Sequence, residues 1–514
     1  METAASRTAL SDLASVHPLD EHNRAWVEHT HPAAWENPEP VPRYNLLVVG
    51  GGPAGLVAAA GAAGLGAKVA LVEKHLLGGD CLNVGCVPSK ALIRSARSIR
   101  EVREASQYGV VLPDGARVAF GKVMERMRTL RARISKHDAA GRFKELGIDV
   151  FLGSGRFTGP ESFEIGGKRI RFSRACIATG ARAAAPPIPG LKDIDYLTNE
   201  TLFSLTQLPK RLAIIGAGPI GCEMAQAFAR FGSEVCLIQA QAGVLPREEH
   251  SASEIVERAL LRDGVKLFSR GKELQVLNLE GKPRLTVSGG EGSYDFVVDQ
   301  VLVSTGRAPN IEELGLESAG VAFDKTGVLV NEYLQTDNPR IYAAGDICSK
   351  YKFTHAADAQ ARIVIRNALF FGWSKASTLT IPWCTYTDPE VAHVGLSVAD
   401  AKTQGVEVQS ITIPWDVVDR AILDGETEGF LHVLLRSGTD RILGATLVGR
   451  HAGDMISELS LAITHGIGLG KIGSTVYPYP TKAEIVKKAG DAYNRTRLKP
   501  AVKRILESIL RWRR

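Results

Sequence analysis

The stretch RYNLLVVGGGPAGLVAAAGAAGLGAKVALVE, residues 43–73, is the most informative part of this 514-residue chain about its fold. Its first seven residues are typical of a short buried strand, and they run directly into the glycine turn GGGPAG and a helix of small residues. A second strand, KVALVE, ends the stretch. A strand, a glycine turn, a helix and a second strand within about 30 residues form the first unit of a dinucleotide-binding domain.

The residues of this turn each have a physical reason. Gly50 permits the tight turn, Gly52 lets the backbone approach a pyrophosphate, and Gly55 lets the helix and strand pack closely. The start of the helix then holds the anion. Glu73 lies at the end of the next strand, where a carboxylate accepts hydrogen bonds from ribose hydroxyls. The stretch therefore predicts a dinucleotide site.

The same pattern returns at residues 211–239, RLAIIGAGPIGCEMAQAFARFGSEVCLIQ, with Gly216, Gly218 and Gly221 in the turn. Gln239 stands where the first unit has its acidic residue. A glutamine bonds a ribose hydroxyl but does not repel a 2′-phosphate as a carboxylate does. The pattern therefore favours NADPH slightly and leaves NADH open. We expect two nucleotide sites in one chain.

Length, cysteine content and hydropathy bound the class of protein. A chain of this length is expected to form two to four domains. Seven cysteines scattered along it do not form a secreted disulfide framework, so a cytosolic setting is favoured. The first 40 residues lack the pattern of a secretory signal, and we find no apolar run of about 20 residues that could span a bilayer. No nucleic-acid partner and no resident metal site are predicted.

Positive charge is concentrated at the C-terminus. Residues 495–514 contain eight basic residues and one acidic residue, whereas the formal net charge of the whole chain is only +6. One interpretation is an amphipathic helix that packs on its own protein, which is the ordinary use of such helices. The other is contact of residues 498–514 with an anionic membrane surface. The apolar residues at helical spacing are Leu498, Val502, Ile505, Leu506, Ile509 and Leu510, followed by Trp512.

A close cysteine pair follows the first nucleotide unit. GGDCLNVGCVPSK, residues 78–90, places Cys81 and Cys86 five positions apart. The sequence Val-Pro-Ser-Lys after Cys86 is typical of a helix start, because proline is favoured in the first turn. A thiol at a helix start feels the positive end of the dipole, which lowers its pKa. In a cytosolic chain such a pair is more often redox-active than structural, so we expect a disulfide that opens and closes during chemistry.

At these motifs the chain resembles the pyridine nucleotide-disulfide oxidoreductases, the flavoenzymes that include dihydrolipoamide dehydrogenase, glutathione reductase and mercuric reductase. The resemblance covers about residues 43–495. QAFARFGSEV, residues 226–235, is especially similar to mercuric reductase. The motifs that carry the resemblance are the two glycine turns, GGDCLNVGCVPSK, ATG at 178–180, STGRAPN at 304–310, AAGD at 343–346 and TDPEVAHVG at 387–395.

The resemblance implies an α/β fold with two Rossmann-like dinucleotide-binding domains, for FAD and NAD(P), plus a C-terminal α+β dimerisation domain. The N-terminal extension contains prolines and no strong periodicity, and it receives no role. The expected segments are 1–42 as that extension, 43–190 and 311–378 as the two parts of the FAD domain, 191–310 as the NAD(P) domain, 379–490 as the dimerisation domain and 491–514 as the basic amphipathic tail.

The resemblance also implies roles for individual residues. Two electrons from NADH or NADPH would pass through FAD to a Cys81–Cys86 disulfide. Cys86 would then be the thiolate that faces the flavin, and Cys81 would attack the acceptor. Lys90 and Glu223 would form an ion pair beside the flavin. Besides the glycine turns, Glu73 and Gln239, the implied cofactor contacts are Thr179, Gly180, Gly306, Asp346 on the ribityl chain and Thr354 near the pyrimidine end of the flavin ring.

The chain departs from the family pattern near its C-terminus. Disulfide reductases of this family carry a His-Pro-x-x-x-Glu motif there, which reaches into the partner subunit as an acid-base catalyst. Here the stretch is YPYPTKAE, with Tyr479 five residues before Glu484. A tyrosine with a pKa of about 10 moves protons poorly at neutral pH compared with a histidine of pKa about 6.5. Exchange between a dithiol and a disulfide is therefore disfavoured.

Mercuric reductases also carry tyrosine at this position, which suits a soft metal acceptor. They typically end in a vicinal cysteine pair, however, and this chain ends in ILRWRR. The leading interpretation is an FAD-dependent NAD(P)H oxidoreductase that passes electrons to a soft metal ion or another small acceptor. A lipoamide-type dehydrogenase and a membrane-docked flavoprotein redox sensor are the alternatives. A homodimer is expected, and it is required if Tyr479 completes the neighbour's site.

Overall fold

The computed structural model describes residues 16–111, 117–241, 243–289, 292–370 and 372–514. By its internal contacts the chain separates into two units. One comprises Met1–Ala217, Met224–Ala240 and Gly264–Leu379, and the other comprises Gly218–Glu223, Gln241–Asp263 and Thr380–Arg514. The six segment boundaries expected from the sequence stay a prediction.

The elements follow one another in a mixed order of helices and strands. The helices are α1 (Glu21–Thr30), α2 (Pro53–Gly64), α3 (Gly79–Asn83), α4 (Cys86–Glu104), α5 (Phe120–Ile134), α6 (Ala140–Glu145), α7 (Asn199–Leu202), α8 (Pro219–Phe231), α9 (His250–Arg262), α10 (Thr354–Leu369), α11 (Val398–Thr403), α12 (Asp419–Leu423), α13 (Ala452–Thr464), α14 (Leu469–Gly473), α15 (Glu484–Thr496) and α16 (Pro500–Trp512). The strands are β1 (Tyr44–Val49), β2 (Val69–Glu73), β3 (Asp149–Leu152), β4 (Gly155–Gly159), β5 (Ser162–Ile165), β6 (Lys168–Ile177), β7 (Ala181–Ala183), β8 (Arg211–Ile215), β9 (Glu234–Ile238), β10 (Lys266–Phe268), β11 (Lys272–Leu279), β12 (Lys282–Gly289), β13 (Gly292–Val297), β14 (Gln300–Val303), β15 (Arg307–Pro309), β16 (Phe323–Asp324), β17 (Gly327–Val328), β18 (Ile341–Ala343), β19 (Trp383–Thr385), β20 (Glu390–Gly395), β21 (Val408–Pro414), β22 (Phe430–Arg436) and β23 (Ile442–Gly449).

The first unit contains a seven-stranded sheet in the order β3-β2-β1-β6-β5-β4, with β18 also paired to β6. Strand β1 is parallel to β2 and β6, and Val48 lies between Leu71 and Cys176. Parallel strands are covered on both faces, which is why β1 is almost wholly apolar. The small residues of α2 let this helix pack closely against α10. The sequence therefore forms the predicted dinucleotide-binding module.

The second parallel sheet has the strand order β10-β9-β8-β14. The helix α8 connects β8 to β9, as in the first module, and a separate antiparallel sheet is formed by β11, β12 and β13. The apolar residues of these strands form one buried cluster, which includes Ile215, Val276 and Val301. Both Rossmann-like modules predicted from the glycine turns are confirmed.

The second unit has a five-stranded antiparallel sheet in the order β19-β20-β23-β22-β21. Its core combines residues of the strands, such as Leu431 and Leu447, with residues of α13 and α15, such as Leu459 and Ile485. The indole of Trp415 is buried in this core and donates its N–H to the backbone oxygen of Val448 over 2.6 Å. A C-terminal α+β domain is thus confirmed.

The basic tail forms the helix α16, but it does not pack on its own chain. Within this fully described helix no residue is buried. Its apolar residues are exposed, and Trp512 retains 85% of its accessible surface. The interpretation that the tail packs on its own protein is therefore wrong. Among the helices that the structure describes, none has the length and apolar character needed to cross a membrane.

The N-terminal extension also contains a helix, α1, despite its weak periodicity. Asp20 caps it, because the Asp20 carboxylate accepts the backbone N–H of Asn23 over 2.9 Å. Asn23 and Trp26 are buried. Trp26 packs with Leu76 and Ala132 in a small apolar cluster of its own. The described part of the extension is thus folded onto the first unit.

Candidate active site

The two predicted redox cysteines lie on consecutive helices. Cys81 is in the short helix α3, and Cys86 is the first residue of α4. Gly85, between the helices, has no room for a side chain, because a Cβ atom there would lie 2.7 Å from the backbone oxygen of Asp80. The glycine therefore lets the chain fold back so that the cysteines approach each other.

The thiols of Cys81 and Cys86 are in hydrogen-bonding contact, and neither is part of a disulfide in this structure. This hydrogen bond, together with burial, raises the pKa of the Cys81 thiol. In a close pair the second negative charge is disfavoured by the first. Cys86 is exposed and begins a helix, which is an environment that favours the negative charge of a thiolate.

Thr354 belongs to this thiol site. Its hydroxyl lies 3.6 Å from the sulfur of Cys86, and it is the first residue of α10. The hydrogen bond between Thr354 and Cys81 lowers the pKa of the Cys81 thiol, against the larger effects that raise it. The structure thus brings Thr354 to the cysteines, while its expected contact with a flavin ring stays a prediction.

Arg307 joins three parts of the first unit, and sequence reasoning missed it. Its guanidinium forms an ion pair with Asp80, the residue before Cys81, and its Nε lies 3.5 Å from a carboxylate oxygen of Asp346. It also donates to the backbone oxygen of Ala181 over 2.5 Å. Burial raises the pKa of the Asp346 carboxyl, and the charge of Arg307 opposes this shift. The only available signal was its place within STGRAPN.

The first glycine turn has the geometry that its sequence predicts. Gly50 has φ +109°, and a Cβ atom there would overlap the backbone oxygen of Ala178. Glu73 accepts the backbone N–H of Gly51 over 2.6 Å and that of His75 over 2.7 Å. The carboxylate is therefore fixed beside the turn, at the carboxyl end of β2.

The motifs ATG and STGRAPN are joined by hydrogen bonds. The Thr179 hydroxyl donates to the backbone oxygen of Asn310 over 2.9 Å, and the Asn310 amide donates to that of Thr179 over 2.8 Å. The Asn310 N–H donates to Gly180 over 3.0 Å, and Gly306 accepts the N–H of Ala184 over 3.1 Å. Thr179, Gly180 and Gly306 are thus placed at chain crossings, where the observed contacts are structural.

The second glycine turn repeats the first one with an amide in place of the acid. Gly216 has φ +104° and lies close to the backbone oxygen of Ser304. The Gln239 side-chain oxygen lies 3.5 Å from the backbone nitrogen of Ala217. Gln239 thus occupies the position that Glu73 has in the first module, with a longer hydrogen bond and no charge.

Lys90 lies in the second turn of α4, and Glu223 lies in α8. The carboxylate of Glu223 is buried and accepts the backbone N–H of Tyr386 over 2.9 Å. Their ion pair stays a prediction.

The predicted proton-transfer residues lie in the second unit. Tyr479 is 70% exposed and donates its hydroxyl to Asp419 over 3.0 Å. This hydrogen bond to a carboxylate raises the pKa of Tyr479 above its usual value. Glu484 begins α15 and accepts the backbone N–H of Thr481 over 3.4 Å. The tyrosine is therefore held as a phenol, and its raised pKa makes it a weaker proton donor.

The residues around the turns fit dinucleotides. A Cβ atom at Gly52 would meet only Gly79, at 3.7 Å, and a Cβ atom at Gly218 would meet nothing within 4 Å. Both positions therefore leave the backbone open to a phosphate. The N-terminus of α2 has no side-chain cap, so its first N–H groups point at the turn. In the part of the chain that the structure describes, no cluster of His, Cys, Asp or Glu is arranged to hold a metal ion.

Two dinucleotide-binding modules and a contacting thiol pair define a class of protein, the dithiol oxidoreductases that use nucleotide cofactors. Residues 44–361 match the family model of the pyridine nucleotide-disulphide oxidoreductases, and residues 381–490 match the dimerisation domain of the same family. The chain belongs to the pyridine nucleotide-disulphide oxidoreductase family. Members of this family use FAD together with NADH or NADPH.

Curated relatives have two kinds of names. A mercuric reductase from Staphylococcus aureus is 36% identical over 88% of this chain and 83% of its own length. A dihydrolipoyl dehydrogenase from Chlamydia muridarum is 34% identical over 86% of this chain and 95% of its own length. Similar members of the family are thus named for different substrates.

The chain is also similar in fold to solved structures. The HOCl-induced flavoprotein disulfide reductase RclA from Escherichia coli has a TM-score of 0.76 at 26% identity, over 87% of this chain and 99% of its own. LpdA from Mycobacterium tuberculosis has a TM-score of 0.78 at 26% identity, over 88% of this chain and all of its own. The fold and the family resemblance stated from the motifs are thus confirmed.

Proposed function

We propose that the protein is an FAD-dependent NAD(P)H oxidoreductase that passes two electrons through Cys81 and Cys86 to a soft metal ion or another small acceptor. The observation that carries this proposal is the contacting thiol pair, with Cys86 at a helix start and Cys81 held protonated beside it. The charge on Cys86 and the proton on Cys81 divide the pair into a sulfur that exchanges electrons with a cofactor and one that meets the acceptor.

The residues that would hold FAD are Gly50, Gly52, Gly55, Glu73 and Asp346. Those that would hold the nicotinamide nucleotide are Gly216, Gly218, Gly221 and Gln239. When it is bound, FAD supplies the transfer of electrons between a nicotinamide and a disulfide. The chain positions the dinucleotides with its turns, orients the helix α3 through the ion pair of Arg307 with Asp80, and keeps the proton on the Cys81 sulfur.

A soft metal ion suits this site better than a disulfide substrate. Thiolates are the ligands that soft metal ions prefer, whereas a disulfide substrate needs a proton for each thiolate that leaves. Tyr479, the expected proton donor, is held by Asp419 with a raised pKa. A relative named mercuric reductase supports the same choice, as does the solved Cu(II) complex of RclA at 26% identity.

The test begins with anaerobic reduction of the purified protein by NADH and by NADPH, followed through the long-wavelength thiolate–flavin absorbance. Reoxidation by Hg(II), Cu(II), lipoamide and quinones is then measured. We expect a metal ion to reoxidise the protein, and we expect Cys81→Ser or Cys86→Ser to lower turnover by at least about 100-fold. Cys236→Ser is the matched control and should keep wild-type turnover.

Two results would overturn the proposal. Wild-type turnover by both serine variants with every acceptor would remove the thiol pair from the reaction. Robust turnover of dihydrolipoamide would instead favour the dihydrolipoyl dehydrogenase reading, and it would refute the part assigned to Tyr479. A homodimer is proposed on the family's dimerisation domain, residues 381–490.

The exposed apolar face of α16 favours a second role, docking of the protein on an anionic membrane. Seven net positive charges lie in residues 495–514, next to exposed Ile505 and Ile509. We expect the protein to float with vesicles that contain phosphatidylglycerol and to remain behind with phosphatidylcholine alone. Ile505→Glu should abolish flotation, whereas Leu279→Glu, on an exposed leucine outside the tail, should not. Equal flotation of these two variants would remove the membrane role.

A further inference from the structure

The N-terminal extension reaches the thiol pair through one hydrogen bond. Trp26, in α1, donates its indole N–H to the side-chain oxygen of Asn83 over 2.9 Å, and both side chains are buried. Asn83 is the last residue of α3, the helix that contains Cys81, and it precedes Cys86 by three positions. The N-terminal extension, which is far from the cysteines in sequence, therefore contacts a residue that lies between Cys81 and Cys86.

Each hydrogen-bonding group of the Asn83 side chain has a partner. The amide nitrogen donates to the backbone oxygens of Leu76 and Leu77 over 3.1 and 3.3 Å, while the amide oxygen accepts from Trp26. The backbone oxygen of Asn83 accepts from Arg131 over 2.8 Å. A buried amide with all its partners in place has a single favourable orientation. Asn83 therefore fixes the end of α3.

The extension is itself anchored at a second place, on α5. The Arg131 guanidinium lies 3.7 Å from the centre of the Trp26 ring and donates to the side-chain oxygen of Asn23 over 2.8 Å. Asp20 forms an ion pair with Arg128 over 2.6 Å. Because α1 is fixed to α5 by these contacts, it provides a rigid support for Asn83.

We infer that residues 20–31 are a positioning segment for the redox pair, in which Trp26 acts through Asn83 to keep the Cys81 sulfur in contact with that of Cys86. The inference rests on the proposed function, because it assumes that the pair forms a disulfide. The segment lies ahead of residue 44, where the match to the family model begins. It is thus a support that this chain adds to the matched region.

The chemistry that this support controls is closure of the disulfide. Two thiols become one S–S bond, and the two electrons and two protons that they lose convert oxidised glutathione, by breaking its S–S bond, into two glutathione thiols. Thiols that are held in contact have a high effective concentration, which favours closure. Loosening α3 lowers this effective concentration. The equilibrium constant for disulfide formation then falls, and the reduction potential of the pair rises.

The experiment equilibrates the full-length protein in glutathione redox buffers, alkylates the remaining thiols and quantifies the peptide that contains Cys81 and Cys86. Trp26→Phe keeps an aromatic ring beside Arg131 and removes the indole N–H. We expect the equilibrium constant for disulfide formation to fall at least about tenfold, which is about 30 mV for a two-electron couple. The control is Trp35→Phe, because Trp35 also lies in the extension but donates its indole N–H to Val150, over 3.2 Å. This control should match the wild type.

A second variant, Asn83→Ala, separates positioning from general stability. If Trp26 acts through Asn83, the double variant with Trp26→Phe and Asn83→Ala has the same equilibrium constant for disulfide formation as Asn83→Ala alone. The inference is overturned if both single variants stay within about twofold of the wild type, even when their Tm falls, or if Trp35→Phe has as large an effect as Trp26→Phe. Failure of the wild type to form a Cys81–Cys86 disulfide at any buffer ratio would contradict the proposed function itself.

Discussion

The sulfur of Cys86 lies at one helix start and faces another. It is in the first residue of α4, and the hydroxyl 3.6 Å away belongs to Thr354, the first residue of α10. Helix starts attract negative charge by roughly 0.3–1 kcal/mol each at exposed sites. A threonine hydroxyl adds a hydrogen bond that a thiolate accepts. At the scale of one residue, the reactivity of the pair therefore depends on Thr354.

Thr354→Val removes this hydroxyl with little change in shape. Because the hydrogen bond from Thr354 lowers the pKa of the Cys81 thiol, its loss should raise that pKa further. We expect alkylation of the reduced pair by iodoacetamide at pH 7.5 to slow by about threefold to tenfold. Thr403→Val, at an exposed position of α11, is the control. An unchanged alkylation rate in Thr354→Val would show that the Thr354 hydroxyl does not affect the reactivity of the thiols.

Gln239 offers a second test at this scale. A carboxylate at this position would repel the 2′-phosphate of NADPH and would bind the ribose hydroxyls of NADH. We expect Gln239→Glu to lower kcat/KM for NADPH by at least about tenfold, which corresponds to about 1.4 kcal/mol, and to preserve that for NADH. Gln404→Glu, on the exposed surface, should leave the ratio unchanged. A parallel loss for both nucleotides would mean that Gln239 does not select between them.

At the scale of elements, the helix α3, which contains Cys81, is fixed by contacts at both of its ends. Arg307, at the start of β15, ties Asp80 of α3 to Asp346, which follows β18. Asn83 ties the other end of α3 to α1 and α5. A short helix of five residues is not stable alone. These contacts therefore determine where Cys81 lies, more than the helix itself does.

The sheet of the second unit contains a buried histidine with a consequence for pH. In β20, His393 contacts the Thr446 hydroxyl at 2.9 Å and the backbone oxygen of Gly395 at 3.1 Å. Burial lowers its pKa, so the unfolded chain binds this proton more readily than the folded one. The contribution of the neutral His393 to the free energy of unfolding is fully present above pH 6.5. It is lost as the pH falls through the lowered pKa of His393.

His393→Gln should therefore reduce the dependence of Tm on pH between 7 and 5, although it lowers Tm at pH 7 by loss of a buried contact. His465→Gln, at an exposed position, should retain the wild-type dependence. Calorimetry across this range checks both variants. A slope in His393→Gln as steep as in the wild type would assign the acid sensitivity to other groups.

The glycine turns could be predicted from local sequence patterns, whereas the long-range contacts could not. Gly50 and Glu73 follow from a strand, a turn and a strand that are contiguous in sequence, so their geometry was expected. Trp26 and Asn83 are 57 positions apart, and no periodicity connects them. Arg307 lies 227 positions from Asp80, which hides their ion pair in the same way. The wrong interpretation of α16 has a related cause, because amphipathic spacing shows that a face is apolar but not what covers it.

At the scale of the whole molecule, the two units contain different functional regions of the chain. The first contains Cys81, Cys86 and most of the matched oxidoreductase region, and the second contains the dimerisation domain with Tyr479. The resemblance to the disulfide reductases of this family implies that this position serves the neighbouring subunit. If the same holds here, each site of the proposed homodimer needs residues of both chains.

A mixed dimer tests this arrangement. One chain bears Cys81→Ser and the other bears Tyr479→Phe, so a site shared between subunits would be intact once per dimer. If the Tyr479 hydroxyl takes part in the reaction, we expect the purified mixed dimer to have about half of the wild-type activity, while each homodimer of a variant has less. If the mixed dimer is only about half as active as the Tyr479→Phe homodimer, the tyrosine serves its own chain. Differential affinity tags on the two chains provide the purification.

The exposed α16 has a practical consequence for anyone who handles the protein. Trypsin cleaves after lysine and arginine, and the tail carries eight such residues, among them Arg495 at an exposed position. A cut after Arg495 removes residues 496–514 and changes the formal net charge from +6 to 0, because that segment carries seven basic residues and one acidic residue. Clipped and intact molecules would then separate on an ion-exchange column, so the elution profile itself reports the integrity of a preparation.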